Sequence, residues 1–372
     1  MTIYLDYNAT TPVHPEVLDE MFKVYRENYG NASSRTHTYG HQAKQLVDQA
    51  RKTVAQILDI TPTEVVFTSG ATESNNLAIQ GLAKWGKENG KMHIVSTSIE
   101  HSAVLEVLEH LSQRGFEIEY ISPDSSGRVK AQDVLERVRP DTLLVTVMHA
   151  NNETGIIQPV QEIGQALMQT ETFFHVDAAQ TFGKLVDELK ELPYDLLSVT
   201  AHKLYGPQGI GALVIRQRRN RRIKLEPLMY GGGQERGVRP GTLPVALIVG
   251  FGKAVELAQQ NYQGWMKAAG DIKESIMAQL TSVQYAINGD QKYCLPQTLN
   301  ISFIGVDSEA LMVAVKNQMA ISSGSACTSS SYEPSHVIMA MGGDAESAIR
   351  LSWGPGSEVR IAPIVDVVRS FQ

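Results

Sequence analysis

Cysteine is scarce in this chain: 372 residues hold two, Cys294 and Cys327. Two distant thiols, in a sequence whose first seven residues form neither a basic leader nor an apolar run, predict reduced thiols in the cytoplasm and no disulfide framework. Long apolar stretches are missing as well. None approaches the roughly 18 residues that a membrane span needs, so no membrane partner is expected. HExxH and CxxC spacings are absent, which leaves the ten histidines without a metal-binding pattern, and no metal is expected. Positive charge is not in excess either. A net charge of −7 and a pI near 5.8 argue against direct binding of DNA or RNA, because neutralising phosphates takes a basic face. The one basic run, residues 216–224, follows an apolar stretch and reads as a solvated loop after a strand, with docking of an acidic partner as the alternative.

Apolar content of 42% and charged content of 20% are ordinary for a globular enzyme. The length suits one large domain and a smaller one. Short β-rich runs at 65–68, 93–96, 117–121, 143–148, 172–176, 195–199 and 211–215 alternate with helical-period segments near 42–58, 74–88, 102–114, 130–138 and 160–169. That order predicts an α/β fold with a mainly parallel sheet covered on both faces. After Gly231-Gly-Gly233 a long helix over about 244–283 is expected to lead to a second unit. Its expected strands are 298–303 and 348–352, and its helices lie near 308–318 and 333–341.

Active sites of such sheets gather at the carboxyl ends of the strands. Three segments fall there: Thr68-Ser-Gly-Ala-Thr72, His149-Ala-Asn-Asn-Glu153 and Asp177-Ala-Ala-Gln180. The first runs from a strand into a helix, where small residues and the helix dipole suit a single phosphate, or else a plain capped helix start. Asp177 ends an apolar strand and needs a positive partner, which the nitrogen of a pyridoxal phosphate ring would supply; a helix cap or an internal ion pair is the alternative. Lys203, in Thr200-Ala-His-Lys203, sits where a partly desolvated amine can form a Schiff base. His101 follows Glu100 and could stack on a planar cofactor, or be a satisfied core histidine. Arg350 lies in an apolar strand pattern and wants a carboxylate or phosphate partner. Cys327 occupies a Gly- and Ser-rich stretch typical of an exposed loop, as a working thiol requires. Cys294 reads as structural.

Together these motifs resemble the cysteine desulfurases of the NifS/IscS type, pyridoxal-phosphate enzymes of the class V aminotransferase family. The likeness runs from Leu5-Asp-Tyr-Asn-Ala-Thr-Thr-Pro12 to Ser323-Gly-Ser-Ala-Cys-Thr328, in family order. It implies fold type I, aspartate-aminotransferase-like, with a large domain over 13–256 built on a mixed seven-stranded sheet. The small domain would combine 1–12 with 257–372 and carry the cysteine loop at about 321–333. It also implies roles. Lys203 would hold the cofactor covalently, Asp177 would pair with the pyridine nitrogen, Gln180 would bond the phenolic oxygen, and His101 would stack on the ring. Ala71, Thr72, Thr200 and His202 would bind the phosphate, with Thr242 reaching in from the other subunit of a homodimer. Asn152 and Arg350 would hold the carboxylate of L-cysteine, and Cys327 would take its sulfur as a persulfide, releasing L-alanine. Three stretches, 225–229, 287–291 and 331–336, are most like the desulfurases of DNA phosphorothioation (the DndA/SspA group). The short C-terminus, ending at Gln372, lacks the longer tail with which iron–sulfur desulfurases dock their scaffold. The expected sulfur acceptors are therefore proteins of the phosphorothioation machinery. Supply of iron–sulfur clusters or of tRNA thiolation, and selenocysteine lyase activity, are the alternatives.

Overall fold

The computed structural model describes residues 2–218, 221–323, 334–357 and 359–372. A short strand, β1 (Ile3–Tyr4), precedes helices α1 (Pro15–Glu27) and α2 (Thr38–Ile57). Strands and helices then alternate through β2 (Val65–Thr68), α3 (Ala71–Glu88), β3 (His93–Thr97), α4 (Ser102–Ser112), β4 (Glu117–Ile121) and α5 (Ala131–Leu135). The series continues with β5 (Thr142–Met148), α6 (Val160–Leu167), β6 (Phe173–Asp177), α7 (Val186–Glu191), β7 (Leu196–Thr200) and β8 (Gly211–Ile215). The seven strands β2 to β8 form one sheet in the order β2-β8-β7-β6-β5-β3-β4.

Every residue of β2, β3, β5, β7 and β8 is buried. That explains why these strands read as continuous apolar runs without alternation: both faces are covered. The expected parallel pairing holds from β4 through β7. Strand β8 runs antiparallel to both β7 and β2, which makes the sheet mixed, as the family likeness implies. The cause is the connection 201–210, which contains no helix; a parallel partner would need a crossover of a dozen or more residues.

The basic run is not a plain loop. Gln217–Arg218 (β9) and Arg221–Arg222 (β10) pair antiparallel as a short ladder. Helix α8 (Val245–Gln279) packs against α1 and α2. It leads to β11 (Tyr285–Ile287), β12 (Thr298–Phe303), α9 (Ser308–Val315), β13 (Met319–Ala320), α10 (His336–Ala340), β14 (Ala348–Ser352) and α11 (Ala362–Phe371). Strands β11, β12 and β14 form a three-stranded antiparallel sheet, and β1 pairs with β13. Leu5 joins Leu351, Trp353 and Ile361 in the core beneath this sheet. The N-terminal arm is thus stitched to the C-terminal third.

Strand β2 is an edge, and its outward backbone groups are met by side chains instead of another strand. The Phe67 amide donates to Glu235 Oε2 at 2.8 Å, and the Val65 carbonyl accepts from Arg51 Nη1 at 2.8 Å and Arg236 Nη2 at 2.7 Å. Arg51 also pairs with Glu235 and lies 4.6 Å from the centre of the Phe67 ring. Removing one partner of a buried pair strands the other charge and costs about 3 kcal/mol. Arg51→Leu should therefore lower unfolding free energy in urea by about that amount, and adding Glu235→Leu should recover part of the loss. Fully additive losses would show that the pair is not coupled.

Candidate active site

The carboxyl ends of β2, β5, β6 and β7 open onto a cavity of about 490 Å3. Ala71, Thr72, His101, Asn152, Asp177, Gln180, Thr200, His202, Lys203 and Arg350 all line it. The sequence-derived residues are therefore brought together, with two exceptions. Thr242 is exposed, in the segment before α8, and does not line the cavity. Cys327 lies outside the described residues.

Asp177 is 6% exposed and ends β6, in register with Met148 on one side and Ser198 on the other. Its Oδ2 accepts from Asn75 Nδ2 at 2.7 Å and its Oδ1 from the Ala179 amide at 2.9 Å. Asn75 comes from the first turns of α3 and was missed in the sequence, where it reads as one more polar helical position.

Helix α3 starts at Ala71 behind Gly70, with no side-chain cap on its free amides. Those amides and the helix dipole face the cavity wall formed by Ala71 and Thr72, an arrangement that suits an anion. Gly70 has φ +154°, and a Cβ on Gly211 would come within 2.8 Å of the Gly70 Cα. The turn and the end of β8 are therefore in backbone contact, which glycine at both positions permits. Lys203 lies in the tight turn after β7, closed by the Leu204 and Gly206 amides donating to the Ala201 carbonyl. His202 Nδ1 is 3.3 Å from Thr10 Oγ1, and burial, then the Lys203 and Lys184 ammonium groups, pushes its pKa down to about 4. A lysine and a neutral imidazole beside an uncapped helix start fit a phosphate.

His101 caps α4, its Nδ1 accepting from the Ala103 amide at 3.0 Å. The neutral ring therefore carries its proton on Nε2. Burial and the nearby Lys203 hold its pKa below the usual range, favouring that neutral form. At the wall formed by β14, Arg350 Nη2 contacts Asp6 Oδ1 at 2.6 Å and Nη1 donates to the Asn152 carbonyl at 2.9 Å. Asp6 was not singled out from the sequence.

Five buried polar atoms of lining residues have no partner among the described residues: Asn8 Oδ1, Asn75 Oδ1, Gln180 Oε1, Thr200 Oγ1 and Arg350 Nε. Buried polar atoms without partners are uncommon, and their concentration around one cavity fits a polar ligand. Among the described residues, one His and carboxylate group lies close enough to hold a metal: His93, Glu117 and Glu119. Its carboxylates face Arg137 and Arg139, and none of the three lines the cavity. Cys294 Sγ accepts from Lys273 Nζ at 3.2 Å, and burial pushes its thiol pKa up, which keeps it unreactive.

Residues 3–359 match the family of class-V aminotransferases. The chain belongs to that family. Its members are pyridoxal-phosphate enzymes, and the mixed seven-stranded sheet is their fold type I. Among curated relatives, the cysteine desulfurase IscS of Vibrio cholerae is 44% identical over 99% of this chain and 92% of its own length. Among solved structures, DndA from Streptomyces lividans is 46% identical, covers 94% of this chain and 98% of its own, and superposes with a TM-score of 0.83. An SspA structure in complex with cysteine is 39% identical over 95% of this chain and 99% of its own, also with a TM-score of 0.83. This class-V chain is thus similar throughout to cysteine desulfurases, and cysteine desulfurase is the activity those likenesses support.

Beneath the site of this class-V chain, Glu100 is fully buried. Its Oε1 accepts from Thr97 Oγ1 and the Met148 amide, and its Oε2 has no partner among the described residues. Burial raises its pKa from 4.5 to about 8. The folded chain then keeps a proton that the unfolded chain gives up above pH 4.5. That stabilising difference is complete at low pH and is lost as pH rises through about 8. Between pH 6 and 8 the unmodified protein should lose about 2 kcal/mol of unfolding free energy relative to Glu100→Gln, read from urea melts. Parallel pH profiles would contradict the neutral, buried acid.

Proposed function

We propose that the protein is a pyridoxal-phosphate-dependent desulfurase that converts L-cysteine to L-alanine and keeps the sulfur as a persulfide on Cys327. The observation that carries this reading is the cavity itself, where Lys203, Asp177, a helix start and an arginine meet around partnerless buried atoms. Lys203 would hold the cofactor covalently, with Asp177 against the pyridine nitrogen, Gln180 at the phenolic oxygen and His101 over the ring. The amides of Ala71 and Thr72 with Thr200 and His202 would hold the phosphate. When bound, the cofactor supplies an electron sink for the amino acid's carbon skeleton.

The chain's own residues do the rest. Asn152 and Arg350 orient the substrate carboxylate, and a bidentate guanidinium is well matched to it. His101, neutral with a proton on Nε2, can move a proton at that atom. Cys327 as thiolate attacks the substrate sulfur. The bond between that sulfur and Cβ breaks, the carbon takes up a proton and leaves as alanine, and the sulfur stays on Cys327. An aminotransferase would share Lys203 and Asp177 but would not need Cys327.

Three further parts belong to the same reading. The chain would form a homodimer, with Thr242 completing the partner's phosphate site. Its exposure away from its own cavity supports this, as do the exposed Phe22 and Tyr25 on α1, Tyr29 just after it and Tyr39 on α2. The large domain would span 13–256 and the small one 1–12 with 257–372. The sulfur would go to proteins that build phosphorothioate into DNA, in the cytoplasm where the thiols stay reduced. The likenesses to DndA and SspA support that destination; the likeness to IscS supports iron–sulfur supply as the second reading.

The purified protein should be yellow and Lys203→Ala colourless. Cys327→Ala should keep the colour and its change on adding L-cysteine, yet lose sulfide release under reductant. A Cys327→Ala protein that still desulfurates at the normal rate would sink the assignment. For the destination, deletion of the gene should abolish sulfur-containing dinucleotides in digested genomic DNA, read by mass spectrometry. Their persistence, with failing iron–sulfur enzymes, would replace phosphorothioation by the second reading.

A further inference from the structure

Arg350 does not reach the cavity alone. The arm residues 5–8 run beside the end of β14: the Ser352 amide donates to the Leu5 carbonyl at 2.9 Å, and the Asn8 amide donates to Ser352 Oγ at 2.9 Å. Asp6 and Ser352 form a parallel bridge. Residues two apart on a strand share a face, so this bridge brings the Asp6 side chain to the face that carries Arg350. Tyr4 fixes the arm from behind, its hydroxyl donating to the carbonyls of Asp6 at 3.1 Å and Thr10 at 2.9 Å. The contact that results is close: Asp6 Oδ1 lies 2.6 Å from Arg350 Nη2, with side-chain exposures of 20% and 3%. A second carboxylate in the field of Arg350, Glu153, is held by the Ser335 hydroxyl.

We propose that Asp6 is the resident counter-ion and positioning residue of Arg350. In that role it makes the site prefer an amino acid carrying both charges over a plain carboxylate of the same shape. This rests on the reading that Arg350 receives the substrate carboxylate. The geometric part is direct. Asp6 takes Nη2 and the Asn152 carbonyl takes Nη1, so the guanidinium plane is fixed before any ligand arrives. The charge part follows from the same contact. A bare guanidinium in a shielded cleft attracts any anion, but one paired with Asp6 is nearly neutral at a distance. An incoming carboxylate then meets attraction from Arg350 and repulsion from Asp6. The ammonium group of an amino acid reverses the second effect, whereas a carboxylic acid without an amine bears it in full. Asp6 thus acts as a specificity residue through Arg350 and does not touch the reacting atoms.

The test compares L-alanine with propionate, the same skeleton without the amine, as competitive inhibitors of the holoenzyme acting on L-cysteine. Asp6→Asn keeps the shape and an oxygen acceptor for Nη2 while removing the charge. It should tighten propionate about tenfold and shift L-alanine by less than about threefold, so that the preference collapses. Asp6→Ser provides a second variant without the charge, should the amide turn in its place. A merely structural role for Asp6 would weaken or spare both inhibitors alike. An unchanged ratio in both variants overturns the proposal. Arg350→Gln separates this from the parent reading: it should weaken both inhibitors. If it weakens neither, the carboxylate role of Arg350 fails and the proposal falls with it.

Discussion

A buried carboxylate governs the organisation of this site. Asp177 ends a strand covered on both faces, where an unpaired charge would cost several kcal/mol. Two donors meet it, from Asn75 on α3 and from the Ala179 amide. Holding Asn75 there requires α3 to lie across the sheet with its N-terminus at the carboxyl edge. The same placement delivers an uncapped helix start to the cavity. The tight turn after β7 then brings Lys203 and His202 to that edge. One electrostatic requirement thus fixes the anion-binding end, the lysine and the acid relative to each other.

The cavity's basic groups come from two separate parts of the fold. Lysines and histidines collect near the helix start, where burial and mutual repulsion push His101 and His202 toward their neutral forms. Arg350 lies on β14 of the other sheet with its own counter-ion from the arm. A ligand spanning both regions would carry a phosphate at one end and a carboxylate at the other. That division suits a phosphorylated aldehyde cofactor meeting an α-amino acid.

Much of this was legible in the sequence, for a physical reason. Strands buried on both faces appear as continuous apolar runs, and those at 65–68 and 211–215 match β2 and β8 residue for residue; the run at 117–121 matches the partly exposed edge strand β4 as well. The polar segments at their ends were therefore recognisable as a site. What escaped is equally explicable. Helix α1 buries only Val17 and Val24 fully and exposes Phe22 and Tyr25, so its apolar stripe is blurred. The reversal of β8 follows from loop length, which periodicity does not encode. Asn75 and Asp6 act through partners about 100 and 344 residues away. No local pattern marks such pairings.

The central claim is that this cavity moves sulfur from L-cysteine to one particular thiol. Incubating the purified holoenzyme with sulfur-labelled L-cysteine, trapping persulfides by alkylation and sequencing the peptides by mass spectrometry tests it directly. The account predicts one labelled sulfur added to Cys327 and none to Cys294, whose thiol is buried and raised in pKa. Label on Cys294, or alanine formed with no label on either cysteine, would contradict it.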